Sequence, residues 1–231
     1  MKIGIYTDVH YSSAKVTCGN RYNDQSLRKI KQAYAFFEKE KCDLIVCLGD
    51  VIDTEPTVEK EMQNLSEIAK VMQGSEIKTV CLMGNHDAFV LSREEFYNIL
   101  GIPSVDEMKI DGKRLLFLDA CYFKTGVHYA PGDSGWDDCF LPDDEKLRAR
   151  LSDSDEDTYI FIHQNIDTAI RADHRIFNSE RVFNIINESG VVKTVFQGHY
   201  HPGASAEYNG VKYVTLPAMC ECENAFWTFE I

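Results

Sequence analysis

Five short apolar runs in this chain of 231 residues break off in the same way, at a cluster of Asp, Asn and His. Lys2–Thr7 runs into Asp8-Val9-His10, and Asp43–Leu48 into Gly49-Asp50-Val51-Ile52-Asp53. Ile77–Met83 stops at Gly84-Asn85-His86-Asp87, Tyr159–Ile162 at His163-Gln164-Asn165, and Val191–Phe196 just before Gly198-His199-Tyr200-His201. Apolar, β-branched runs of this length bounded by turn residues read as strands. In α/β sheets, ligands collect beyond the carboxyl ends of strands. Five of the seven histidines fall in these clusters, all but His128 and His174. Any one cluster is ordinary turn chemistry; the ordered set of five is what constrains the fold and points to a site.

The intervening segments carry helical spacing. Gln25–Lys41 places Leu27, Ile30, Ala33, Tyr34 and Phe37 on one face. Thr57–Gln73 follows with Thr57 as N-cap, and Ser92–Leu100 is opened by Ser92 with Glu95 three residues later. Pro142–Leu151 and Ser179–Glu188 also read as helices. Asp111-Gly112 joins Lys109–Ile110 to Arg114–Leu118, Asn209-Gly210 joins Ala204–Tyr208 to Val211–Leu216, and Phe226–Ile231 ends the chain as a strand. Strand–helix alternation followed by hairpins predicts an α/β fold, a four-layer α-β-β-α sandwich of two mixed β-sheets flanked by helices. No segment has linker composition, so residues 1–231 are expected to form a single domain. The acidic run Asp153–Asp157 reads as a solvated loop.

With 37 acidic and 24 basic residues the net charge is -13, which excludes the basic footprint of a general nucleic-acid binder. A small phosphorylated substrate is compatible with that charge, because bound divalent metals invert the local field. No stretch approaches the ~18 apolar residues of a membrane span, and Asp8 interrupts the start too early for a leader peptide. Cys42, Cys47 and Cys81 lie in or beside apolar runs, and Cys220 and Cys222 form a CxC rather than a CxxC. Together with Cys18, Cys121 and Cys139 they read as reduced structural thiols of a cytoplasmic protein.

Imidazole and carboxylate donors suit borderline divalent cations such as manganese, iron, zinc or nickel. Two cations close together need an anionic bridge, and Asp50 is the natural candidate because a carboxylate has two oxygens to share. Metals ~3.5–4 Å apart clamp both attacking and leaving oxygens of an in-line displacement and lower the pKa of bound water.

The series DVH, GDVID, GNHD, a strand-end His and GHYH resembles the motif series of the calcineurin-like metallophosphoesterases, and the resemblance spans Asp8 to His201. It implies hydrolysis of a phosphate ester by attack of metal-bound hydroxide, with two divalent ions as cofactor, manganese being the expected metal in vitro. By that resemblance one metal takes Asp8, His10, Asp50 and His201, and the other takes Asp50, Asn85, His163 and His199. His86 then resembles the family's active-site histidine, which contacts the scissile phosphate and protonates the leaving oxygen, and Asp53 the carboxylate that orients it. Thr54 stands where the protein serine/threonine phosphatases carry Arg, which counts against a protein substrate.

Flanking segments are similar to the branch of manganese-dependent ADP-ribose/CDP-alcohol diphosphatases, and much of this is shared with class III cyclic-nucleotide phosphodiesterases. These segments are Arg21-Tyr22 before Ser26–Phe37, Ser92-Arg93 after GNHD, Phe177-Asn178, and Gly210–Leu216. His163-Gln164-Asn165 departs from the usual HHP pattern. A small phosphodiester or nucleoside-diphosphate-type substrate is expected, the alternative being a phosphomonoester; a non-catalytic scaffold is disfavoured because every ligand position is filled. Arg21, Tyr22 and Asn165 are the candidate substrate contacts, with Phe177 and the Tyr122–Trp136 loop beside them. Arg21 would hold a second phosphate. Trp136 or Tyr129 either stacks on a nucleobase or packs the loop, while His128 and His174 read as ordinary surface histidines.

Overall fold

The computed structural model describes residues 1–133 and 139–231, so Trp136 lies outside the described residues. In chain order the elements are β1 (Lys2–Tyr6), α1 (Ser26–Lys39), β2 (Leu44–Cys47), α2 (Val58–Gln73), β3 (Thr79–Cys81), α3 (Asn85–Val90), α4 (Arg93–Leu100), β4 (Glu107–Ile110) and β5 (Lys113–Leu118). They continue with α5 (Asp144–Ser152), β6 (Thr158–Ile162), α6 (Ser179–Glu188), β7 (Val192–Gln197), β8 (Ala204–Tyr208), β9 (Val211–Thr215) and β10 (Phe226–Glu230).

The strands form two mixed sheets. The first has order β10-β1-β2-β3, with β10 antiparallel to β1 and the other pairs parallel. The second has order β4-β5-β6-β7-β9-β8, parallel from β5 to β9 and closed at each edge by an antiparallel hairpin. Strand alternation sorts the apolar residues into two layers. Ile3 and Ile5 of β1, Leu44 and Val46 of β2, and Phe117, Phe161 and Phe196 of the second sheet form the core between the sheets. Phe161 stacks between Phe117 and Phe196, each ring 5.1 Å away.

The opposite faces pack under helices, with Tyr6 and Ile45 among residues of α1 and α2 on one side, and Ile160 and Val195 among those of α5 and α6 on the other. Both faces of the central strands are therefore buried, which is why they read as continuous apolar runs rather than alternating ones. At Gly4 the ring of Phe37 lies flat against the backbone, where any Cβ would collide with it.

The result is the four-layer sandwich expected. One element differs. No element was expected directly after β3, but α3 begins at Asn85 itself. Gly84 takes an extended N-cap conformation and its N–H donates to Asp87 Oδ2 at 2.9 Å, so the polar cluster is the first turn of a helix.

Candidate metal centre and its cavity

The carboxyl ends of β1, β2, β3, β6 and β7 meet along one rim, and the loops leaving them continue the strand ladders. Asp8 N–H donates to the Gly49 carbonyl at 3.0 Å and His10 N–H to that of Asp50 at 2.9 Å. Gly198 N–H donates to the His163 carbonyl at 2.9 Å. These bonds extend the strand pairing into the loops. Asp8, His10, Asp50 and His199 all have positive φ, between 44° and 64°. Non-glycine residues pay for that conformation, and such strain collects at functional sites.

Close approach adds a second demand. A Cβ on Gly84 would strike Asp50, and one on Gly198 would strike Thr7 Oγ1 and Asp8 Oδ2. Bare backbone at Gly84 lets the loops after β2 and β3 close on each other, and at Gly198 it lets the loop after β7 meet the one after β1 across the two sheets.

Six of the seven side chains expected to be ligands come together here, Asp8, His10, Asp50, His163, His199 and His201, and Asn85 is buried in the first turn of α3 beside them on the rim. Asp50 Oδ2 lies 3.1 Å from His163 Nε2 and 3.5 Å from His10 Nε2. Asp50 Oδ1 accepts the His86 backbone N–H at 2.9 Å. Asp8 Oδ1 lies 3.4 Å from His201 Nε2 and 3.7 Å from His10 Nε2, and those two ring nitrogens face each other at 3.2 Å. Asp8 Oδ2 is tied by Thr7 Oγ1 at 2.6 Å and by the His199 N–H at 3.0 Å. Ligand atoms of Asp50, His163 and His199 form one set within 4.8 Å of one another, and those of His10, Asp50 and His86 another, so Asp50 belongs to both.

The donor chemistry fits divalent cations. Asp8 Oδ1, His163 Nε2 and both polar atoms of the Asn85 side chain are buried with no hydrogen-bond partner among the described residues. Buried polar atoms are seldom left so; oxygen and nitrogen atoms crowded at 3–4 Å without hydrogen-bond geometry are what a cation between them would satisfy. Burial pushes the pKa of His10 down to about 4 and that of His199 to about 3, so both rings are neutral donors. Burial also acts to lower His163, but Asp50 outweighs it and raises the ring to about 9. Burial alone would raise Asp50, yet His163, His86 and His10 hold it well below the carboxylate range. Cys220 Sγ is within reach of His10 and His201, but burial and then Asp8 push its thiol up and keep it protonated, which leaves the set hard to borderline.

His86 sits beside this cluster, its ring perpendicular to that of His10 with centroids 4.5 Å apart. Its Nδ1 lies 3.5 Å from Asp53 Oδ1. Asp53 is itself fixed by Asn23 Nδ2 at 2.9 Å, Thr17 Oγ1 at 3.1 Å and the Thr54 N–H at 2.8 Å. Asp87 carries no expected role, yet its carboxylate accepts the N–H groups of Val51, Ile52 and Gly84 at 2.9–3.1 Å and so locks the loop after β2 to that after β3.

A cavity of about 530 Å³ opens over the cluster. It is lined by Asp50, His86, His199 and His201 of the cluster, by Cys18, Asn20 and Arg21 from the segment after β1, and by Arg171, Asp173, His174 and Tyr200 from the segments after β6 and β7. Arg21 lies 3.5 Å from Asp53 and faces this cavity, as expected.

Other expected contacts do not. Asn165 is fully buried, its Nδ2 donating to Thr215 Oγ1 at 2.9 Å: the chain after His163 turns inward, so this side chain stitches β6 to β9 and does not line the cavity. The Tyr22 side chain is exposed to solvent outside the cavity wall, and Phe177 lies on a separate depression near Arg175. Tyr129 is buried against Phe123 and donates to Cys139 Sγ, so it packs its loop. His128 pairs with Asp119 away from the cavity. His174 is no ordinary surface residue: a 3-10 turn, Ala172–His174, sets its ring 5.5 Å from His199 and 5.1 Å from Tyr200 at the cavity wall. Nothing in the irregular sequence around it signals this.

No helix among the described residues is long and apolar enough to cross a membrane. The fold is that of several solved structures. A dimetal phosphatase from Danio rerio superposes with a TM-score of 0.81 at 17% identity, covering 98% of this chain and 91% of its own. Phosphopantetheinyl hydrolase from Mycobacterium tuberculosis gives 0.60 at 12% identity over 99% of this chain and 95% of its own. An archaeal phosphodiesterase gives 0.53 at 14% identity over 100% and 93%. No curated protein sequence matches the chain closely enough to count as a relative. The calcineurin-like phosphoesterase pattern matches residues 1–203, from the first strand through the last histidine of the rim, and the chain belongs to that family of metal-dependent phosphoesterases.

Proposed function

We propose that this protein hydrolyses a small phosphodiester or nucleoside-diphosphate-type substrate at a centre of two divalent cations. The observation that carries this reading is the buried cluster of carboxylate and imidazole donors around Asp50, several of them unpartnered, beneath a cavity lined by Arg21 and Arg171. Asp8, His10, Asp50 and His201 would hold one cation, and Asp50, Asn85, His163 and His199 the other. Bound there, the cations supply Lewis acidity toward the phosphoryl oxygens and an acidified water. Manganese is the metal we would add first.

The chain's own groups do the rest. Asp53, anchored by Asn23 and Thr17, holds the His86 ring so that its far nitrogen can donate to the leaving oxygen. Arg21 and Arg171, both lining the cavity, can each take charge on a substrate that extends past the reacting phosphate. That extent favours a diester or diphosphate over a terminal monoester, which a closed anion pocket would suit better. The volume is in the ~300–1,000 Å³ range of small-molecule sites, and the net charge of -13 disfavours a polymeric nucleic acid.

A turnover panel of ADP-ribose, CDP-choline, cyclic AMP and p-nitrophenyl phosphate with manganese tests the assignment. Hydrolysis of one or more of the first three is expected to exceed that of the monoester. The reverse order would establish a phosphomonoesterase, and inertness with every divalent metal would remove the catalytic reading altogether.

A further inference from the structure

One carboxylate and one ammonium close to the rim belong to none of the strand-end clusters. Glu221 sits in the turn between β9 and β10, and its carboxylate pairs with His201 Nδ1. A carboxylate only accepts, so Nδ1 carries a proton toward Glu221, which leaves Nε2 as the nitrogen that faces Asp8 Oδ1 and His10 Nε2, 3.4 and 3.2 Å away. Glu221 can reach this ring because its turn is bonded to both neighbours of the cluster. Ala218 N–H donates to the His201 carbonyl at 3.0 Å, Met219 N–H to that of Thr7 at 3.1 Å, and Cys220 N–H to that of Asp8 at 3.0 Å.

The turn is gripped from behind by Lys29 of α1. This lysine is 2% exposed, and its ammonium donates to the carbonyls of Met219 at 2.9 Å and Cys220 at 3.3 Å. Burying a cation is costly, and here the cation meets two backbone acceptors on the two residues that lead into Glu221. Tyr22 N–H adds a bond to the Cys220 carbonyl at 3.0 Å.

We infer that Glu221 is a positioning residue for His201, fixing its tautomer and raising its basicity toward the cation held with Asp8 and His10, and that Lys29 clamps the turn that presents it. This rests on the two-cation reading above. A carboxylate behind a ligating imidazole acts in this way in metal sites generally, and its loss weakens metal binding by about 10- to 100-fold.

The test is a manganese titration of chelator-stripped full-length protein by calorimetry, with bound metal counted independently. Wild type is expected to take two ions. Glu221→Ala is expected to keep one at wild-type affinity and bind the other about 10- to 100-fold more weakly. Glu221→Gln, which preserves size and one acceptor, should lose less and guards against a folding defect. Lys29→Met should weaken the same ion, by less than Glu221→Ala does. Glu223→Ala on the same turn, whose exposed carboxylate pairs with Arg28, should change nothing. Long-range proton–nitrogen correlation spectra of the metal-free protein should show His201 protonated at Nδ1 in wild type and mixed in Glu221→Ala. Two ions bound at unchanged affinity by Glu221→Ala, or both ions weakened equally, would overturn the inference. A wild type that binds no ion would instead sink the metal centre itself.

Discussion

His163 and His201 face the same cluster from the same sheet, yet they are held by different means. The His163 side chain is 1% exposed, and its Nδ1 donates to the Leu48 carbonyl across the sandwich at 3.1 Å. The His201 side chain is 13% exposed at the cavity wall, and its Nδ1 meets a carboxylate. A backbone carbonyl comes with the fold and cannot be changed by substituting a side chain. A glutamate can be tuned or lost one residue at a time. His163 is thus secured by architecture, and His201, at the cavity, by a replaceable group.

The largest expected effect ignores the distinction. Asp50 serves both halves, so Asp50→Asn should remove tight binding of both ions and lower manganese-dependent hydrolysis of bis(p-nitrophenyl) phosphate by about 10³-fold or more, several kcal/mol of barrier. Activity within tenfold of wild type would break the shared-bridge picture. His163→Ala and His201→Ala then separate the halves. Each should abolish one ion and cost roughly 10²-fold in turnover, but only His163→Ala should also lower the melting temperature of the metal-free protein, because only it removes a fully buried ion pair. Equal destabilisation would erase the contrast.

Chelation tests the pair together. Metal at 100 times its dissociation constant adds about 2.7 kcal/mol per site, so stripping the ions should lower the melting temperature by several degrees. The pH dependence of the stripped protein sharpens the comparison further. His163 is raised to about 9, so its contribution is present below its unfolded value near 6.5 and is lost as pH rises from there through about 9. His10 and His199 are depressed to about 4 and 3, so the unfolded chain takes up protons first and stability falls as pH drops below about 6.5. For these three rings, stability should peak near pH 6.5 without metal, and thermal melts at pH 6.5 and 9 should differ. Loading the ions holds all three neutral and should flatten the alkaline side. Smallest of all, Phe177→Ala lies on a separate depression and should leave turnover and stability within about 0.5 kcal/mol of wild type.

Much of this was legible beforehand, for identifiable reasons. Strands buried on both faces, such as Leu44–Cys47, announce themselves as unbroken apolar runs, and the rim residues follow them directly. Helix α3 was missed because only six residues, Asn85–Val90, turn there, fewer than two periods of the apolar pattern. Asn165 was misjudged because adjacency to His163 says nothing about which way a turn aims its next side chains; the pairing with Arg175 and Thr215 decides that. Asp87 lay inside a recognised cluster, but its work on the backbone of Val51 and Ile52 is tertiary. Glu221 and Lys29 are 192 residues apart in the chain and meet only through a turn that no local pattern specifies.

The rim draws Asp8, His10, Asp50 and Asn85 from the first sheet and His163, His199 and His201 from the second. Each cation set therefore spans the seam. Neither set exists until a strand near the start of the chain has docked against one almost two hundred residues later, and contacts so distant form late in folding. On the proposed assignment, metal uptake would work as an inspection step, because a chain with only one sheet assembled would offer an incomplete donor set. A loaded chain would have both sheets docked, and the ions would rivet together the two sheets whose meeting makes the site.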